Sequence, residues 1–216
     1  MEATGPVFAG HALDCVRGGR LVFRDLEFAL TPGDALILRG PNASGKSSCL
    51  RLLAGLSRPA GGEITWQGAS IAEEPEAHRA RLHYVGHLDG VKPQLSLREN
   101  LAFWAKLRGS GEAVEPALAR FELGPLAASP ARYLSAGQRK RLALCRLVAA
   151  HAPIWLLDEP IVTLDEHAVG ILFALIAEHR NAGGMAIVAA HGALDMPDAS
   201  ELDMKRFQPA LEELSS

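Results

Sequence analysis

The residues with the clearest chemical use are Gly40-Pro41-Asn42-Ala43-Ser44-Gly45-Lys46-Ser47, which read G-x-x-x-x-G-K-S. Glycines in such a loop let backbone N–H groups curl around an anionic phosphate. A helix beginning at the end of the run adds unpaired donors and partial positive charge. Lys46 supplies a point charge for β- and γ-phosphates, and the Ser47 hydroxyl suits Mg²⁺. Gly40, Pro41, Asn42, Ala43, Ser44, Gly45, Lys46, Ser47 and Ser48 are the candidate phosphate-binding residues. The apolar run Ala35–Arg39 before them and the helical run Ser48–Ala54 after them, closed by Gly55, form the strand–loop–helix context that a P-loop requires. A chance Gly/Lys/Ser turn does not account for those flanks. A second constellation lies downstream, where the apolar strand Ile154-Trp155-Leu156-Leu157 ends in Asp158-Glu159. Ligands bind at that end of strands in open α/β sheets. Asp158 is placed to hold Mg²⁺, and Glu159 to take a proton from the water attacking the γ-phosphate. Alone, such a pair is as readily a solvent-facing strand end; the P-loop upstream favours the catalytic reading.

These groups need a framework. Ala12–Val16 and Leu26–Leu30 read as strands around Arg17-Gly18-Gly19-Arg20, and Thr31–Asp34 turns the chain into the P-loop strand. After the break at Arg58–Gly62 come the strands Glu63–Gly68 and Leu82–His87. Ser96-Leu97-Arg98-Glu99 is a capping box opening a helix to about Arg108, closed by Gly109. Further helices are expected over 112–122, about 136–150 and about 166–181. Met185–Ala190 reads as the last core strand, ending in His191, and residues 196–216 carry no predicted element. The first third thus mixes antiparallel and parallel sheet, and the stretch from His87 to Pro153 reads as a helical insertion in an α/β core.

The chain has 216 residues, 48% of them apolar, which suits one domain with a substantial core. A net charge of −3 argues against a nucleic-acid-coating surface. Cys15, Cys49 and Cys145 are an odd, scattered set without C-x-x-C spacing, as in reduced buried thiols. Met1–Pro6 lacks the basic-then-apolar order of a signal peptide. No apolar run approaches the ~20 residues of a membrane span, so membrane contact is expected through partners only.

Leu134-Ser135-Ala136-Gly137-Gln138 sits before the Asp158 strand and opens a helix. A Ser-capped helix start explains it locally but not the whole ordered set. L-S-A-G-Q ahead of a strand ending D-E-P resembles the signature of ATP-binding cassette (ABC) ATPases. Residues 40–47 then resemble the Walker A loop, 154–159 Walker B, Thr163-Leu164-Asp165 the D-loop, and His191 the H-loop histidine. The resemblance covers about residues 11–195. It implies a RecA-like P-loop NTPase core with an N-terminal antiparallel β-subdomain and an inserted helical subdomain: one domain, 1–216, with core 1–91 and 153–216 and helices over about 92–152. It implies ATP and Mg²⁺, with Lys46, Glu159 and His191 catalytic and Ser47 and Asp158 at the metal. It also implies a homodimer in which Ser135, Gly137, Gln138 and Asp165 of one copy face the nucleotide of the other. The triplet Arg139-Lys140-Arg141 reads as a solvated helix face.

Several positions depart from the common pattern. The adenine-stacking aromatic is replaced at its matching position by Arg17, with Phe23 as another candidate. Ala43 stands for a frequent Gly, so that backbone position must be sterically tolerant. Where most ABC ATPases carry the Q-loop Gln, this chain has Tyr84-Val85-Gly86-His87, and imidazole is a poorer partner for hard Mg²⁺. That strand end, with Gly90-Val91-Lys92-Pro93 and Leu95–Leu101, is similar to the ATP-binding subunits of the cytochrome c maturation haem exporters. That resemblance implies integral membrane subunits as partners, a peripheral position on the cytoplasmic face of a bacterial inner membrane, and ATP hydrolysis tied to release of a haem-loaded chaperone. No C-x-x-C-H or assignable axial histidine shows haem itself. An ABC subunit for another cargo, a soluble ABC protein acting on nucleic acid or ribosomes, a P-loop kinase or GTPase, and a silent binding module stay as rival readings.

Overall fold

The computed structural model describes residues 6–108, 113–192, 194 and 196–209. Two sheets organise them. An antiparallel sheet has the order β2-β1-β4-β5, with β1 at Phe8–Arg17, β2 at Arg20–Leu30, β4 at Gly61–Trp66 and β5 at Ala69–Ser70. A parallel sheet has the order β6-β7-β8-β3-β9, with β3 at Ala35–Arg39, β6 at Leu82–Val85, β7 at Ile154–Asp158, β8 at Met185–Ala189 and β9 at Ser200–Asp203.

Strand side chains alternate across the parallel sheet, and each face has its own core. Leu36 and Leu38, Ile154 and Leu156, and Met185 and Ile187 share one apolar cluster with the antiparallel sheet and α1, Lys46–Leu53. Ile37, Trp155, Leu157, Ala186 and Val188 face the other way, onto α7, Glu166–Asn181, and the helices of the middle segment. Strands buried on both faces read as unbroken apolar runs, as β3, β7 and β8 do. The helix α1 ends as the sequence leads one to expect: Gly55 takes φ +64 and Leu56 N–H donates to Arg51 O at 2.9 Å.

The short α2, Pro75–Ala80, precedes β6. The middle segment carries α3, Leu97–Leu107, α4, Val114–Arg120, α5, Ala136–Leu144, and α6, Arg146–Ala149. The expected Ser96/Glu99 capping box is formed at α3. Gly109, expected to close α3, and the expected start of α4 at 112 lie outside the described residues. The helix expected over 136–150 is divided at Cys145 into α5 and α6. Buried Asn100 on α3 ties down the loop before it, accepting from Lys92 N–H and donating to the carbonyls of Lys92, Leu95 and Ser96.

The expectation about the last core strand is overturned. β8 is not the last core strand, because β9 pairs in parallel with β3. Its sequence, Ser-Glu-Leu-Asp, is an edge strand with little apolar signal, and its reading depends on a neighbour about 160 residues away in the chain. The turn that follows it is not inert either. Met204 is fully buried, and a Cβ on Gly40 would lie 3.3 Å from its Cβ.

Candidate functional site

The P-loop leaves the carboxyl end of β3 and enters α1. Gly45, the N-cap residue, takes φ +97, and no side chain caps the helix, which leaves its first N–H groups for a ligand. Gly40 takes φ +148; a Cβ there would meet Ser44 Oγ at 2.5 Å. Ala43, where a glycine is frequent, sits at φ +65, a conformation that costs an L-residue about 1–2 kcal/mol. Lys46 is buried, and its ammonium donates to Gly40 O at 2.7 Å and Pro41 O at 2.8 Å. The Ser44 hydroxyl is buried without a hydrogen-bond partner among the described residues. A buried orphan hydroxyl inside an amide-lined loop fits a phosphate oxygen.

Asp158 ends β7, two strands from β3, and accepts a hydrogen bond from Ser47 Oγ at 3.0 Å. Burial pushes its carboxyl above the ordinary value. Glu159 adds to that rise, while the Ser47 bond and the His87 and Lys140 charges oppose it. A carboxylate and a hydroxyl at this separation are the hard oxygen pair that suits Mg²⁺, which takes only one or two carboxylates and completes its shell with phosphate and water. Glu159 follows at φ +47, a strained backbone held by its N–H donating to Ala189 O at 2.9 Å.

A cavity of about 550 Å³ joins Asn42–Ser48 with Asp158 and Glu159, His87, Arg17 and Val22. His87 reaches it from the loop after β6, and Arg17 from the end of β1. Phe23, the other stacking candidate, is fully buried and packs where a Cβ of Gly45 would come, so it is a core residue. His191 instead lines a neighbouring cavity of similar volume with Gly40, Pro41 and Arg39.

Ser135, Gly137, Gln138 and Asp165 line neither cavity. Ser135 caps α5, accepting from Gln138 N–H at 3.2 Å, while Gln138 Oε1 accepts from Ser135 N–H at 2.9 Å. Asp165 caps α7 by accepting from Ala168 N–H at 2.8 Å. A Cβ on Gly137 would come within 2.7 Å of Thr163 O, so the D-loop segment packs against the start of α5 within the chain.

The basic triplet after this motif is not a solvated face. Lys140 is buried, and its ammonium lies 3.3 Å from Asp89 Oδ1, in the loop that carries His87. Arg139 and Arg141 are half-buried and turn to the carbonyls of Leu134 and Phe121. Nothing local in the sequence marks Lys140, because its partner belongs to a distant segment of the chain.

The fold and this cavity are those of an ABC ATP-binding subunit. The family model for the ABC transporter matches residues 23–162. A solved ATP-binding subunit of an ABC transporter superposes with a TM-score of 0.79 at 25% identity, covering 86% of this chain and 79% of that one. A putative ABC transporter ATP-binding protein from Pyrococcus furiosus does so at 0.81 and 21%, covering 94% and 99%. Among curated proteins, the cytochrome c biogenesis ATP-binding export protein CcmA of Rhodospirillum rubrum is 57% identical over 94% of this chain and 88% of its own. That of Paramagnetospirillum magneticum is 52% identical over 95% and 97%. The chain belongs to the CcmA family of ABC transporter ATP-binding subunits. It is therefore an ATPase that binds ATP.

Proposed function

We propose that this chain hydrolyses ATP as a homodimer to drive a haem-handling export complex of cytochrome c maturation, held by integral membrane subunits at the cytoplasmic face of a bacterial inner membrane. The observation that carries the reading is one cavity uniting Lys46, Ser47, Asp158 and Glu159 in a chain 57% identical to a cytochrome c biogenesis export protein.

In this reading the P-loop amides and Lys46 hold the β- and γ-phosphates, and Arg17 stacks on adenine. Ser47 and Asp158 hold Mg²⁺, which when bound neutralises charge on the phosphate oxygens. Glu159 takes a proton from a water whose oxygen attacks the γ-phosphorus; the bond to ADP breaks and phosphate leaves. His191 steadies Glu159 and the γ-phosphate, and His87 orients the water. Ser135, Gly137, Gln138 and Asp165 act on the nucleotide of the second copy. Catalysis of this kind rests on positioning and charge, so closing the dimer gates it.

Among the described residues no helix is long and apolar enough to cross a membrane. Contact with membrane subunits is assigned to the middle helices. Phe103 and Leu107 are exposed there on α3, beside a cavity of about 400 Å³ whose lining includes Leu95, Phe103 and Trp104. An apolar patch of this kind on a polar surface marks a protein contact.

A detergent pull-down tests the assignment. Membrane subunits of cytochrome c maturation are expected with the wild-type chain, and their loss with Phe103→Glu. Recovery of membrane subunits for an unrelated cargo would transfer the chain to the rival ABC reading. Glu159→Gln should bind ATP and accumulate as a dimer; full turnover in that variant would remove Glu159 from its role.

A further inference from the structure

We infer that Arg39 is a positioning residue for His191, holding the H-loop in place against the entrance of the P-loop. The inference rests on the catalytic reading of His191.

Arg39 is the last residue of β3, which lies between β8 and β9. Its guanidinium reaches to both sides. One nitrogen donates to Gly192 O at 2.5 Å; the other donates to Leu194 O at 2.8 Å and to Glu201 Oε1 on β9 at 2.5 Å. Two of the three acceptors are carbonyls within three residues of His191. The imidazole itself is exposed, and no hydrogen bond to it is found among the described residues. Its place is therefore set by its backbone.

That backbone needs an outside hold. β8 ends at Ala189, Ala190 N–H makes the last sheet bond to Leu38 O at 3.2 Å, and Gly192 turns the chain at φ +87. Among the described residues the strand ladder does not extend beyond Ala190, and the two carbonyls that Arg39 grips lie past it. Arg39 is also bonded covalently to Gly40, whose carbonyl accepts from Lys46. One side chain thus refers His191 to the same backbone that holds the phosphate-binding lysine. The Glu201 carboxylate aims the fork: the hydrogen bond between them lowers the Glu201 pKa and raises that of Arg39. A planar fork with several donors fits three acceptors in two directions; a lysine ammonium on a flexible stem does not.

Two alternative roles make different demands. If Arg39 only supplied positive charge near ATP, Arg39→Lys would preserve function and Arg39→Ala would raise KM. A positioning role affects kcat, and lysine does not restore it. A misplacement of about 1 Å costs up to about a hundredfold in rate.

The test uses the full chain. ATPase kinetics are measured for Arg39→Ala, Arg39→Lys, His191→Ala and the double variant Arg39→Ala/His191→Ala. Hydrogen exchange is followed in peptides covering 190–196 and 40–50. We expect Arg39→Ala to lower kcat about ten- to a hundredfold with KM within about threefold, Arg39→Lys to recover little, and the double variant to be no slower than His191→Ala. Exchange should quicken in 190–196 and stay unchanged in 40–50. Full recovery by Arg39→Lys, losses that add in the double variant, or unchanged exchange in 190–196 would overturn the inference. A wild-type rate in His191→Ala would instead remove the catalytic reading of that residue, and the hold on the loop would then be judged by the exchange result alone. Glu201→Gln, which keeps both carbonyl bonds, should move every readout in the same direction by a smaller amount; a larger effect than Arg39→Ala would also count against the inference.

Discussion

The cavity around the P-loop and the signature segment around Ser135 carry the same kinds of group but are used differently. In the cavity, polar atoms are left for a ligand: among the described residues Ser44 Oγ has no partner, α1 has no side-chain cap, and Lys46 rests on two loop carbonyls. In the signature segment the side chains are already engaged. Ser135 and Gln138 cap α5, and Asp165 caps α7. One region presents unengaged polar groups, as the proposed triphosphate site requires. The other is a side-chain-capped helix end that lines neither of these two cavities. The proposed dimer assigns half of a site to each place and brings the two halves together from different copies.

The largest expected effect removes the receiving half. Lys46→Ala should lower ATP turnover about a thousandfold or more while far-ultraviolet circular dichroism stays native. Residual turnover near wild type would mean that the cavity is not where the phosphates sit.

The next effect concerns the tie between the halves. Lys140 on α5 and Asp89 beside the His87 loop form a nearly buried ion pair. Lys140→Ala leaves the Asp89 carboxylate with only the Arg146 charge beside it and should destabilise the fold by about 1–3 kcal/mol in urea unfolding. A loss under about 1 kcal/mol, the range of exposed pairs, would show that the signature helix and the His87 loop are not tied through this contact.

A smaller effect has a sign opposite to ordinary damage. The folded pKa of Asp158 is raised above its ordinary value of 3.8, chiefly by burial. Its contribution therefore favours folding below that value and is lost as pH rises through the folded pKa. Asp158→Asn should accordingly melt higher than wild type at pH 7 while losing ATP turnover, and the gap should narrow as pH falls towards the ordinary carboxylate range. A gap that widens on acidification would contradict the burial argument.

The sequence was most legible where chemistry and periodicity coincide. Gly40–Ser47 needs its flanking strand and helix to work, so one motif fixed three elements. The Ser96/Glu99 pair marked the start of α3 because capping is a local interaction. β9 was illegible for the opposite reason: a polar edge strand is defined by its neighbour. Phe23 is a stacking candidate by its position in the sequence and a core residue in the fold, because its side chain is fully buried where a Cβ of Gly45 would come. Lys140 looked like surface charge because its partner belongs to another element. Local signals survive in sequence; long-range pairings of polar groups do not.

The most direct test asks whether the receiving half and the offering half come from different copies. Lys46→Ala and Ser135→Ala chains are each expected to be nearly inactive as homodimers. In the mixed dimer one site combines both defects, while the other combines an intact P-loop with an intact signature. Mixing the two inactive variants should restore ATP turnover towards half the wild-type rate per mixed dimer, about one site in two. Mixed dimers that form and stay as inactive as either parent would show that each chain completes its own site, and would contradict a nucleotide shared between two copies.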